Sequence, residues 1–166
     1  HLGLAADEAL FNAALRREFS GVADLADQLL NRELGPHERS HALLARGVVH
    51  VHAGESAAAL ARVDTAWPLL PWWDRTGRAL AMDLSLEAGD SARARSWTLE
   101  VGLPEPDAGI YRAWALLVDG DVMASRAARG ELPQDLPRVA YLQGLALVEQ
   151  RRFEEADPWL TRADRL

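Results

Sequence analysis

The sequence predicts an all-α protein, an α-solenoid of about five antiparallel helix hairpins. Three observations predict it. A glycine followed by an acidic residue recurs as Gly54-Glu55, Gly89-Asp90 and Gly120-Asp121, with Arg151-Arg152 where the next is due, at steps of 35, 31 and 31 residues. Pro36, Pro71, Pro106 and Pro137 keep nearly the same beat, at 35, 35 and 31 residues, and a fixed period in this range marks a stacked array of helical repeats. Between these punctuators apolar residues return at helical rather than alternating spacing, as at Leu43, Leu44, Gly47, Val48 and Val51.

The first hairpin is expected to be degenerate, with one helix from Glu8 to Arg17 and a second capped by Ser20, carrying Leu25, Leu29 and Leu30 and ended by Gly35-Pro36. The second hairpin starts near Pro36, because the fixed φ of proline suits a first helical turn and its missing N–H costs nothing there. Its two helices part at Gly54-Glu55, and Ala59, Val63 and Ala66 follow. The third runs from Pro71 past Met82 to the Gly89-Asp90 break and its second helix; the fourth runs from Pro106 past Ala113 through Gly120-Asp121. At each break the glycine interrupts the chain, and the acidic side chain stands where it can cap the next helix or favour its dipole.

The fifth hairpin has the fullest pattern: Tyr141-Leu142-Gln143-Gly144-Leu145-Ala146-Leu147, then Phe153-Glu154-Glu155-Ala156, then Leu160 and Ala163. Pro158 would fall several residues inside its second helix, so that helix is expected to begin at Asp157 as cap, with Pro158 in the first turn. Gly47 and Gly144 sit inside first helices, where each costs roughly 1 kcal/mol relative to alanine. Close approach of two helices would offset that cost. Met82 and Ala113 hold the equivalent places in the units between, and Met82 is bulky for such an approach.

In order and spacing this last unit resembles a tetratricopeptide repeat: a small residue in the middle of the first helix, an aromatic opening the second, then an alternation of alanine and large apolar residues. The unit around Gly47, Gly54, Ala59, Val63 and Ala66 carries the same skeleton, with Ser56 in the aromatic position. The resemblance covers most of the chain, with about 60 residues matching well. It implies a concave inner surface built from the first helix of each pair. Carried over position by position, that surface shows His41, Leu44, Val48 and His52, then Ala79, Asp83, Leu86 and Glu87. Ile110, Trp114 and Leu117 follow, then Arg138, Tyr141, Leu145 and Glu149. The resemblance also implies binding of a peptide or helix in this groove. Family members that clamp a C-terminal carboxylate use lysines and asparagines there; this chain has no lysine, and its two asparagines, Asn12 and Asn31, lie elsewhere, so no such clamp is expected.

Composition narrows the function. With 166 residues and 49% apolar content the chain can bury a core as a single domain. The net charge is −7 and all 18 basic residues are arginines, scattered singly or in pairs. That leaves no basic stripe to neutralise phosphates, so direct nucleic-acid binding is not expected. The acidic balance favours a basic or neutral partner. Absence of cysteine removes disulfides, thiolate metal sites and cysteine nucleophiles. No apolar run approaches the roughly 20 residues that span a bilayer, so no membrane insertion is expected and the default location is cytoplasmic. The opening His1-Leu2, without an initiating Met, reads as a tag remnant, and the chain as a fragment of a longer array.

His37-Glu38-Arg39-Ser40-His41 spells HExxH, the zinc-peptidase signature in which two histidines one turn apart hold the metal and the glutamate activates its water. Catalytic zinc needs a third protein ligand. On a continuous helix His50 points away from His41, and His52 lies about 16 Å further along the axis. Neither reaches. The motif also follows Pro36 directly, at a helix start expected to be exposed, so the histidines read as surface residues and no metal or cofactor is expected. No serine or threonine stands in a recognisable nucleophile setting, and there is no glycine-rich phosphate loop.

Six tryptophans stand out in this alanine-rich chain. Trp67, Trp72 and Trp73 cluster around Pro68 and Pro71, where they are read as plugging the joint between the second and third units. Adjacent tryptophans on a helix diverge by about 100°, so of Trp72 and Trp73 one is expected to face a partner. The leading expectation is a non-enzymatic scaffold that binds a protein or peptide in its groove. The alternatives are self-assembly into a homo-oligomer through an uncapped final helix around Trp159 and Leu160, and, as a minor one, HExxH zinc hydrolysis.

Overall fold

The computed structural model describes residues 2–17, 19 and 21–165. Among them are ten α-helices, one 3-10 turn and no strand, the all-α architecture that the periodicity predicts. The helices gather into two compact units, one ending at Asp90 and the other beginning at Ser91.

The first unit holds α1 (Leu2–Leu15), α2 (Val22–Leu30), α3 (Pro36–His52), α4 (Ser56–Ala66), a 3-10 turn (Trp67–Leu69) and α5 (Arg75–Glu87). Helix α1 begins before Glu8 and ends short of Arg17. Ser20, the expected cap of α2, lies outside the described residues; Gly21, in the left-handed region at φ 76°, leads into that helix. Helix α3 packs against α1, α2, α4 and α5. Its apolar residues explain this, since Ala42, Leu43, Leu44, Ala45 and Val48 cover most of its circumference and all are buried, and a helix apolar nearly all round must be covered nearly all round. Gly47 marks its closest approach: a β-carbon there would stand 3.2 Å from Leu84 Cδ1 of α5 and 3.8 Å from Val63 of α4.

The second unit holds α6 (Ser91–Val101), α7 (Asp107–Val118), α8 (Val122–Gly130), α9 (Pro137–Glu149) and α10 (Phe153–Arg165). Helix α7 packs on α6, α8 and α9, and α9 on α10. Ile110, Tyr111, Trp114, Leu142 and Leu147 are buried there. Ser125 Oγ donates to the Ala113 carbonyl at 2.7 Å, tying α8 to α7. A β-carbon on Gly144 would collide with Leu160, 2.6 Å from its Cγ. The two in-helix glycines therefore sit where helices meet, and Met82, at the equivalent place in α5, is itself buried.

The recurring glycine closes α3, α5 and α7 in one way. Gly54, Gly89 and Gly120 all have positive φ, at 76°, 90° and 81°, and Arg151 takes the same place at 59°. After α3, Gly54 N–H donates to Val51 and Glu55 N–H to His50; after α5, Gly89 donates to Leu86 and Asp90 to Ser85. The pattern repeats with Gly120 to Leu117 and Asp121 to Leu116, and with Arg151 to Val148 and Arg152 to Leu147. This is the double bond of the Schellman motif, which satisfies the last carbonyls of a helix. The acidic residue then caps the following helix at Asp121, whose Oδ1 accepts from Ala124 N–H at 3.0 Å. Glu55 makes no such cap and meets His50 Nδ1 instead, at 2.6 Å.

Two expectations about proline are corrected. Pro36 and Pro137 open α3 and α9, but Pro71 precedes α5 by a turn, and Pro106 is the cap residue of α7. The start of α5 is set instead by Asp74. Helix α10 begins at Phe153 and runs through Pro158, rather than starting at Asp157. Pro158 is exposed in the second turn, so the one backbone bond it forgoes leaves a carbonyl near the helix start rather than a break in the middle.

Candidate functional site

The first two turns of α3 and the cap of α5 meet at three side chains. His37 and His41, four residues apart, lie one above the other on α3, their rings 4.2 Å apart and edge to face. Asp74 comes to them from the cap position of α5. Its Oδ1 accepts from Gly77 N–H at 2.8 Å, the ordinary N-cap bond. Its Oδ2 meets His37 Nε2 at 3.0 Å and His41 Nε2 at 2.9 Å. One carboxylate thus starts its own helix and ties that helix to another.

Gly77 allows this arrangement, since a β-carbon there would collide with Asp74 Oδ2 and with Leu70 Cδ2. The connection before Asp74 is pinned by Arg78, whose guanidinium donates to the Leu70 carbonyl at 3.0 Å and the Pro71 carbonyl at 3.3 Å while lying over the Trp67 ring. Phe11 of α1 stacks flat on His41 at 3.9 Å, and the Trp73 ring stands edge to face with His37 at 5.0 Å.

Burial works to raise the Asp74 carboxyl, but hydrogen bonds with His41, the Gly77 amide and His37 outweigh it and hold the group at about 2. The carboxylate is therefore ionised near neutrality and can only accept, which places a proton on Nε2 of each ring. Asp74 and His41 are buried, and the His37 side chain is about one-third exposed, at 36%. The expectation of ordinary surface histidines is corrected: His41 is enclosed by Phe11, His37 and Asp74. The third group, Asp74, lies 33 residues from His41 in the chain, and its ligand atom and the two Nε2 atoms all lie within 4.8 Å of one another.

The other histidines go elsewhere. His52 stacks on Phe19 at 3.7 Å and His50 pairs with Glu55. Of the residues expected to line a groove, Leu44, Val48, Leu86 and Trp114 are buried; they are packing residues with no surface for a ligand. Asp83 and Glu87 are half-buried, and Glu87 pairs with Arg17 at 2.5 Å. In the second unit Arg138 donates to the Tyr111 hydroxyl at 3.2 Å, and Tyr141 packs edge to face on Trp114 at 5.7 Å. Leu145 is half-buried and Glu149 exposed. Pro137, Arg138, Tyr141, Leu160, Thr161 and Ala163 border a depression of about 550 Å³.

Trp67 is buried as a joint-filling residue should be, whereas Trp72 is 84% and Trp73 58% exposed. Both lie outside the helices, in the turn between Leu70 and Asp74, so helical divergence does not separate them and both face outward. Sequence reasoning missed Asp74, Gly77 and Phe11. The Asp-x-x-Gly spacing before an apolar helix is the signal that marks Asp74 as a cap; nothing local shows where its second oxygen goes. The chain matches no protein-family model, no curated protein and no solved structure.

Proposed function

We propose that the chain is a non-enzymatic interaction module, a tetratricopeptide-like array of helix hairpins that holds a protein partner through the turn carrying Trp72 and Trp73. The exposure of these two adjacent indoles carries the reading. Covering them would contribute roughly 5 kcal/mol before the costs of association, and tryptophans in such positions are frequent binding hot spots. Their turn is held by the Arg78 bonds and by the Asp74 cap, so the rings are presented on a fixed backbone. The net charge of −7 favours a partner segment that combines apolar anchors with neutral or basic flanks.

The test is partner capture by the protein with Trp72→Ala and Trp73→Ala combined. Capture should be lost while far-UV circular dichroism stays unchanged; capture at the original level would end this reading. The depression bordered by Tyr141 and Leu160, with Phe153 exposed on the same final helix, favours a second reading, self-association through α10. Sedimentation at tens of micromolar separates the two, since a monomer that still captures its partner leaves only the first.

A further inference from the structure

We propose that His37, His41 and Asp74 form a binding site for a divalent transition-metal ion. Two imidazole nitrogens and one carboxylate oxygen are the donor set that such ions favour, with the remaining positions open to water or to a further ligand. The spacing suits it. Ligand atoms about 2.1 Å from an ion stand roughly 3.0 Å apart at right angles and about 3.4 Å apart in a tetrahedron. The two nitrogens stand 3.0 and 2.9 Å from Asp74 Oδ2, and all three atoms lie within 4.8 Å of one another. Small outward shifts would seat an ion between them.

The supports that a metal site requires are already in place. Asp74 is anchored through its other oxygen to the Gly77 amide, and His41 is clamped flat against Phe11. Such outer contacts orient ligands and sharpen affinity. His37, the partly exposed member, and the exposed Trp73 beside it stand on the solvent side of the group, which gives an ion a way in. Binding frees the Nε2 lone pair of each ring for the metal: a ring that carries one proton keeps it by moving it to Nδ1, and a ring that carries two releases one to water.

The site reads as one for holding an ion rather than for peptide hydrolysis. Glu38, the residue that would activate metal-bound water in the peptidase signature, folds back over Gly35 at the start of α3. The competing account is a hydrogen-bonded clasp with no affinity for metal. Titration of the metal-free chain with Zn²⁺ in a calorimeter decides between them, and with Co²⁺ the fluorescence of Trp73 provides a second readout, because the ion would sit beside the ring that this indole touches.

One Zn²⁺ per chain with a dissociation constant at or below about 10 µM is expected, together with quenching by Co²⁺. His37→Ala and Asp74→Asn should each weaken binding at least about tenfold; the asparagine retains an N-cap acceptor, so the helix start survives. His1→Ala and His50→Ala should leave the affinity unchanged. Absence of uptake overturns the site, as does binding that survives both His37→Ala and Asp74→Asn or that disappears with His1→Ala.

Discussion

Arg151 occupies a backbone conformation that costs a side-chain-bearing residue roughly 1–2 kcal/mol, where the closures after α3, α5 and α7 have glycine and the end of α1 has Arg17. Arg151→Gly should therefore stabilise the second unit, by about 0.5–1 kcal/mol once the greater freedom of glycine in the unfolded chain is deducted. A rise in the urea midpoint at unchanged slope is the expected result; a fall would mean that the Arg151 side chain makes a contact of greater value. At this scale the sequence was legible wherever the cause is local. Gly47 and Gly144 could be read as contact points because a helix tolerates glycine only for a reason. Asp74 could not be read as the partner of the HExxH histidines, because its cap bond to Gly77 spans three residues while its bonds to His37 and His41 span 37 and 33. Helix geometry alone says nothing about such pairs.

The helix closures after α3, α5 and α7 were legible because a left-handed residue favours glycine, which leaves its mark at each, and the spacing carried the reading on to Arg151 after α9. The helix starts were less so. Proline suits a first turn but equally suits the loop before one, and only Pro36 and Pro137 open helices, while the second oxygen-bearing cap of the kind seen at Asp121 is Asp74, three residues past Pro71. That displacement moved Trp72 and Trp73 out of a helix and into a turn, which is why both are exposed. The three neighbouring tryptophans should accordingly differ in their effect on stability. Trp67→Ala removes a buried indole under the Arg78 guanidinium and should cost about 3–5 kcal/mol, whereas Trp72→Ala and Trp73→Ala should each stay within about 0.5 kcal/mol. Chemical denaturation of the three single variants checks this, and a large loss from Trp72→Ala would show that its ring supports the fold.

At the scale of the whole molecule, the all-α class and the ten helices among the described residues followed from period and punctuation, but which apolar positions are packed away did not. A helix packed among several others is covered on more than one side, so its apolar positions are periodic whether they meet a ligand or another helix. Leu44, Val48, Leu86 and Trp114 fit the pattern of an inner wall and are in fact packed away. The same crowding predicts how the molecule opens. Helix α3, packed against four others, should hold the slowest amides of the first unit, with the stretch from Leu43 to Val48 exchanging only in the largest openings and α2 exchanging sooner. Native-state hydrogen exchange reads this directly, and equal rates in α2 and α3 would contradict it.

The four matching closures have a corollary for how the chain can be built. Because α3, α5, α7 and α9 end in the same pair of backbone bonds around one left-handed residue, the chain has four closures of one local geometry. A turn of that geometry can be reused wherever a helix must stop and hand over to the next, and Arg151 shows that it forms without a glycine.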